Sequence, residues 1–168
     1  PLSLIEIARR IGEGIFGIER VKITIPEGSN LYEIATLFEQ AGMFTKKEFF
    51  AATGAPGADY RKPISGNAPI LRDFSSGAKL IREKPRLVSL EGYLFPDTYF
   101  FLKSESPEEV VIKMLANLER KITPEIREEI AQQGRNIHDV LTVASLLEEE
   151  AHRDEDRKII AGILWKRI

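Results

Sequence analysis

Val21-Lys22-Ile23-Thr24-Ile25-Pro26-Glu27-Gly28-Ser29-Asn30-Leu31-Tyr32-Glu33 changes its hydrophobic period within a few residues, and that change decides the fold class. Val21, Ile23 and Ile25 alternate with Lys22 and Thr24, which predicts a half-buried strand. Pro26 to Asn30 is turn chemistry. Asn30 with Glu33 then opens a helix through Ile34, Leu37 and Phe38 to about Gly42. Thr45 with Glu48 opens another that ends near Gly54. In both, a short polar side chain takes the N–H three residues on while the Glu reaches back. Strand, turn and two helices within residues 20–54 make a small α/β module.

Upstream, Ser3 and Glu6 form the same kind of box, starting a helix that should end near Gly12. Downstream, residues 55–84 turn rich in Gly, Pro, Asp and Ser with poor apolar periodicity, which predicts a linker or long loop holding at most one short helix. Leu87 to Tyr99 is dense in apolar and aromatic residues around Pro96. Helices follow from Ser106-Pro107 through Val110, Met114 and Leu118, and from Thr123-Pro124 to about Gly134. A third runs from Asn136 or Ile137 to about His152. The last starts at Asp154 or Asp156, with Ile159, Ile160, Ile163 and Leu164 on one face. The expected class is α+β: a small α/β module followed by a mainly helical part.

Composition excludes several functions. With 24 basic and 26 acidic residues there is no cationic footprint for nucleic acid. With no Cys, disulfides, thiolate metal sites and Cys nucleophiles are out. His138 and His152 alone give little material for a histidine metal site or a Ser-His-Asp triad. No cofactor is implied. No run reaches the roughly 18 apolar residues needed to span a bilayer, and no signal peptide is visible. Pro1 opens on a helix start and Ile168 stops inside an apolar-periodic run, so both ends are expected to be cuts in a longer protein.

The chemistry concentrates on residues 140–151. At about 100° per residue, Val140, Leu141, Val143, Ala144, Leu146, Leu147 and Ala151 fill one wide arc. Glu149 falls opposite it. Glu148 falls between Ala144 and Leu141, and Glu150 between Leu146 and Val143. A carboxylate in apolar surroundings gains a partner or a raised pKa, and a raised pKa suits a general acid. Acids near a helix end are also often solvated or structural. The wheel narrows three acids to two and does not choose between them.

Ala144-Ser145-Leu146-Leu147-Glu148-Glu149-Glu150 resembles the A-S-hydrophobic-hydrophobic-E-x-E segment of the endolytic murein transglycosylase (MltG, or YceG-like) family. Arg153 through Lys166-Arg167-Ile168 is similar to its continuation. Leu90-Glu91-Gly92-Tyr93-Leu94-Phe95-Pro96-Asp97-Thr98-Tyr99 resembles the family's E-G-Y-hydrophobic-F-P-D-T-Y signature. Ile25-Pro26-Glu27-Gly28 resembles, more weakly, the start of its LysM-like module. The three matches stand in the family's order and cover most of the chain, divided as a LysM-like module with its preceding helix (1–54), a linker or long loop (55–86) and the N-terminal part of a catalytic domain (87–168). Leu147 and Glu149 stand where other members carry other aliphatic and polar residues.

The resemblance implies a lytic transglycosylase that cleaves the MurNAc-β-1,4-GlcNAc bond and leaves a 1,6-anhydro-MurNAc end. It places the acid and base on Glu150, the second Glu of E-x-E, and leaves the role of Glu148 open. Glu91, Tyr93, Asp97, Tyr99 and Ser145 are candidate substrate-binding or auxiliary residues; Glu91 and Asp97 sit in an apolar run, where carboxylates need partners. As alternatives, Leu94, Phe95 and Tyr99 are core, and Asp97 caps the turn at Pro96. The implied partners are peptidoglycan glycan strands, with cell-wall synthesis proteins as a further class. In the full-length protein the resemblance implies a single-pass anchor in the cell inner membrane, a catalytic part facing the periplasm or exterior, and further catalytic sequence; the anchor and the further catalytic sequence are expected to lie outside these 168 residues. The alternative function is a non-catalytic glycan-binding or assembly module of the elongation machinery. An unrelated helical interaction protein is a third, against which the ordered motifs argue.

Overall fold

The computed structural model describes residues 3–12, 19–60, 72–150 and 153–166. α1 (Leu4–Gly12) stands at the front, with Leu4 and Ile5 exposed. The alternating stretch forms β1 (Arg20–Thr24). The turn after it leads to α2 (Leu31–Gln40) and α3 (Lys46–Thr53). Both helices start on the predicted boxes, Asn30 with Glu33 and Thr45 with Glu48. Two orphan N–H groups are satisfied at each start.

The partner of β1 comes from far along the chain. β2 (Thr98–Leu102) pairs with it antiparallel, Val21 opposite Phe101 and Ile23 opposite Tyr99. No strand was expected beyond Tyr99; β2 reads in sequence only as part of an aromatic run. A two-stranded ribbon is marginal without a helix packed on it. Here Phe101 meets Phe38 of α2 edge-on at 5.3 Å, and Phe38 lies 5.6 Å from Phe49 of α3.

α4 (Pro107–Lys121) starts on the Ser106–Glu109 box with Pro107 in its first turn. It buries Val110, Val111, Met114, Leu115 and Leu118 in the same core. α5 (Pro124–Gln132), α6 (Ile137–Glu150) and α7 (Asp154–Leu164) follow. On α7 the predicted apolar face is only half covered: Ile160 and Leu164 are half-buried, whereas Ile159 and Ile163 are exposed. Among the described residues no helix is long and apolar enough to cross a membrane. The α+β expectation holds: helices around one small antiparallel sheet.

The segment expected as a linker or long loop with at most one short helix holds one such helix among its described residues, but it is not a free linker. Its described part packs Phe74, Ala78, Leu80 and Ile81 into the main core through a turn and a 3-10 turn, Lys79–Glu83. Those apolar residues follow neither the helical nor the strand period, because turns present side chains irregularly; the sequence pattern therefore hides them. The core likewise does not break at residue 54 or residue 87: one buried cluster runs from Ile23 and Leu31 to Leu118 and Ile137.

One buried polar side chain ties β2 to α4. Asn117 donates from Nδ2 to Asp97 Oδ2 (2.9 Å) and to Tyr99 Oη (3.0 Å), and its Oδ1 accepts from Arg120 (3.1 Å). Asn117 is 4% exposed, while its partners Asp97 and Arg120 reach the surface, so the amide is buried and the bonds are part-buried. The Asp97 backbone carbonyl accepts from Ile25 N–H, extending the β1–β2 ladder. The Asn117 amide, then the Thr98 N–H, hold the Asp97 carboxyl below its usual range, with Lys121 and Arg120 adding to this against a small opposing effect of burial.

Two outcomes follow from this junction. Asn117→Ala removes a buried amide that joins Asp97, Tyr99 and Arg120, and should lower unfolding free energy by about 1 kcal/mol in urea titration; an unchanged midpoint would mean the three bonds carry no net stability. Asp97 has a depressed folded pKa. Its contribution is therefore complete above the unfolded value near 3.8 and is lost as pH falls through the folded value. The stability gap between the native chain and Asp97→Asn should be flat at neutral pH and close below about pH 4; a gap that widens on acidification contradicts this.

Candidate active site

The Leu90–Tyr99 segment sits between the front module and α6. Leu90 is buried and its N–H bonds the Thr53 carbonyl at the end of α3. Glu91, half-buried, accepts from Leu31 N–H at 2.9 Å through Oε1 and from Gly57 N–H at 3.1 Å through Oε2. Its partners are backbone donors. It completes the start of α2, where the helix dipole favours an anion, and pins the turn after α3.

Gly92 has φ of 77°, and a Cβ there would come within 3.3 Å of Ser145 Oγ. Only glycine fits both the left-handed backbone and this approach to α6. Next to it, Tyr93 turns inward, 2% exposed, with its hydroxyl 2.8 Å from His138 Nδ1 and the two rings stacked. Burial, then the carboxylates of Glu83 and Asp139, raise the Tyr93 phenol well above its usual range. Of the candidate substrate-binding or auxiliary residues, Tyr93 is thus a core ring, and it fixes the first turn of α6.

Asp97 and Tyr99 also serve the junction described above. The Tyr99 hydroxyl donates to the Phe95 carbonyl at 2.7 Å, and its ring stacks on Phe101 at 5.4 Å. Burial raises the Tyr99 phenol, partly offset by the Asn117 amide. Leu94 is buried, while Phe95 and Tyr99 are half-buried against the core.

α6 carries the acidic motif. Its start is fixed from two sides: Asn136 Oδ1 accepts from Asp139 N–H at 2.9 Å, and Glu83 Oε2 accepts from Ile137 N–H at 2.9 Å. Val143 is 2% exposed, and Leu141 and Leu147 are half-buried. Ala144 and Leu146 are exposed, as are Glu148 and Glu150. The apolar shield expected around Glu150 is therefore absent. The wheel treats all apolar side chains as one buried arc, but the core lies under the first turns of α6 and only Val143 of the pair flanking Glu150 reaches it. The side chain of Glu149 lies outside the described residues.

Two adjoining depressions meet along the Gly92–Ser145 approach. One, about 250 Å³, is lined by Gly28, Ser29 and Asn30 on one side and by Glu91, Ser145 and Glu148 on the other. The second, about 510 Å³, lies between Phe95 and Pro96, the Ser145–Glu148 face of α6, and Arg157 of α7. Ser145 donates to the Leu141 carbonyl at 3.0 Å and keeps its oxygen at the groove wall. Ser145 and Glu148, three apart, share a helix face. The structure thus brings together Glu91, Ser145 and Glu148 and leaves Tyr93, Asp97, Tyr99 and Glu150 outside the lining of both depressions. The turn at Gly28–Asn30 and Arg157 were not foreseen. The i,i+3 spacing of Ser145 and Glu148 was the available signal for the α6 wall; nothing in sequence tied the turn to it. Among the described residues no group of three or more His, Asp or Glu is placed to hold a metal ion.

A profile of the YceG-like family matches residues 1–168. An endolytic murein transglycosylase of Streptococcus pneumoniae (serotype 2, strain D39) is 31% identical over 150 residues, which is 87% of this chain and 26% of that relative. An endolytic murein transglycosylase of Bacillus subtilis (strain 168) is 28% identical over 178 residues, 99% of this chain and 44% of the relative. The crystal structure of a yceG-like protein from Listeria monocytogenes superposes with a TM-score of 0.61 at 24% identity, covering 99% of this chain and 52% of that one, and so shares the fold. The chain spans half or less of the length of these curated relatives. With the profile matched from the first residue to the last, this chain belongs to the YceG-like family.

Proposed function

We infer that the chain carries the acid/base motif of an endolytic peptidoglycan lytic transglycosylase. The observation that carries this is the groove in which Glu148 and Ser145 of the A-S-x-x-E-x-E helix face Glu91 and Gly92 of the second motif, in a family whose curated relatives bear that name. Glycan strands of peptidoglycan are the substrate. Action outside the cytoplasm follows from the location of that substrate, with the protein held at the cell membrane by an anchor.

One carboxylic acid suffices for the reaction. It protonates the glycosidic oxygen between MurNAc and GlcNAc, and the C1–O bond breaks. As carboxylate it then takes the proton of the muramyl C6 hydroxyl while O6 bonds to C1, closing the 1,6-anhydro ring. No water enters, and the acid is regenerated. This differs from hydrolysis by two flanking carboxyls. Family resemblance assigns that acid to Glu150. Its exposed carboxyl is open to a substrate. A second assignment, to Glu148, is favoured by one observation: Glu148 lines both depressions and Glu150 neither.

The unit over residues 20–54 is proposed as a LysM-like glycan-binding module. Its turn at Gly28–Asn30 walls the same groove as Ser145 and Glu148, which supports a shared glycan path. Glu91 acts there through backbone bonds that hold this turn's helix, α2, in place.

The test is carried out in the full-length protein, with purified glycan strands digested and anhydro-ended products measured by mass spectrometry. Glu150→Gln should lower product formation by about 10²–10⁴-fold, while Glu148→Gln retains more activity. The reverse order moves the acid to Glu148. Full activity in both variants excludes acid/base work by this motif, and glycan pull-down unaffected by either change would then support the binding-module alternative.

A further inference from the structure

We propose that the cavity bounded by Arg72, Arg82, Lys84 and Arg86 is an oxyanion-binding site, taking a carboxylate- or phosphate-bearing ligand. It is a half-open depression of about 370 Å³ beside the Lys79–Glu83 turn, with Ile81 in its wall and Asp73 as its one carboxylate among the described residues. It shares no lining residue with the groove at Ser145 and Glu148.

The charge distribution is the first argument. The chain holds 24 basic and 26 acidic residues, so a lining of four cations to one anion is not what its composition would place around a depression. Like charges gathered in a concave surface reinforce one another's potential and attract a counter-ion. The basic lining is confined to one depression on a chain of net charge −2, which suits a compact anion and not an extended polyanion such as nucleic acid.

The second argument is a division of roles. Arg72 is held by Glu108, with Nη1 to Oε1 at 3.0 Å. Lys84 donates to the carbonyls of Pro85 and Val88. Asp73 is turned to its own loop, its Oδ1 accepting from Ser75 N–H at 2.8 Å. Arg82 and Arg86 are exposed, and among the described residues neither forms a hydrogen bond or an ion pair by its side chain. Asp73 feels both only as nearby positive charge. Two guanidinium forks therefore face the cavity with donors to spare, flanked by two cations already fixed in place. Such forks match the paired oxygens of a carboxylate or phosphate.

Isothermal titration of the whole chain at low ionic strength tests this with inorganic phosphate, a tripeptide bearing free carboxylates, and the same tripeptide fully amidated. The anionic probes should bind saturably and the amidated one should not. Arg82→Gln and Arg86→Gln, both exposed, should each weaken binding roughly tenfold with an unchanged circular dichroism spectrum. Lys47→Gln, a remote exposed cation, should leave it unchanged. Saturation by phosphate alone identifies a phosphate ligand. Saturation by the carboxylate peptide alone identifies a peptide carboxylate, and mutual competition identifies one site open to both. No saturable binding of either anion overturns the proposal. So does binding that the two arginine variants leave intact, or that Lys47→Gln weakens equally.

Discussion

The pairing of β1 with β2 is the constraint on which the rest depends. It joins residues 20–24 to residues 98–102, so everything between must fold back onto one core. Loop closure over such a span is entropically costly, though the cost grows only slowly with length. The offset comes from burial: Phe101 on the sheet sits fully buried among Phe38, Tyr99 and the apolar side of α4. The same pairing sets the functional geometry. With Ile25 N–H bonded to the Asp97 carbonyl, the turn after β1 and the segment before β2 must lie side by side. That adjacency is why Gly28–Asn30 and Glu91–Pro96 can wall one groove.

Carboxylates hold this arrangement at helix starts. Glu91 reaches the first N–H of α2, Glu83 that of α6, and Glu119 of α4 accepts from Leu80 in the Lys79–Glu83 turn. Each satisfies an otherwise orphaned donor on a distant element, and each places negative charge where the helix dipole favours it. Glu119 is itself paired with Arg127 at 2.6 Å, linking α4 to α5. The consequence for α6 is direct. Its first turn is fixed by Glu83, by Asn136 and by the Tyr93–His138 contact, while its last turns project from the core with Glu148 and Glu150 exposed. A helix anchored at one end holds the side chains of its other end in a fixed direction.

Much of this was legible in sequence. Three capping boxes, the alternating strand and most helix starts depend on interactions within four residues, and these are what a linear pattern encodes. The buried part of residues 72–83 was not legible, since Phe74, Ala78, Leu80 and Ile81 gain their burial from packing across the chain. The candidate site divides the same way. The Ser145–Glu148 face follows from helical spacing. Glu91 and Asp97 stood out as carboxylates in an apolar run needing partners, yet their partners are Leu31, Gly57, Thr98 and Asn117. Sequence reveals that a carboxylate needs satisfying; it does not reveal whether backbone or substrate does it.

The choice between Glu148 and Glu150 is a choice between two faces of α6. Two residues apart on a helix means about 200°, so one groove cannot take both carboxyls from the same wall. Glu148 continues the Leu141–Ser145 stripe that borders the depressions. Glu150 lies seven residues after Val143 and four after Leu146, on the stripe that is buried at Val143 and open at Leu146. A reaction served by a single carboxyl fits this divided geometry better than one needing two, because only one acid at a time can meet a strand lying along the helix.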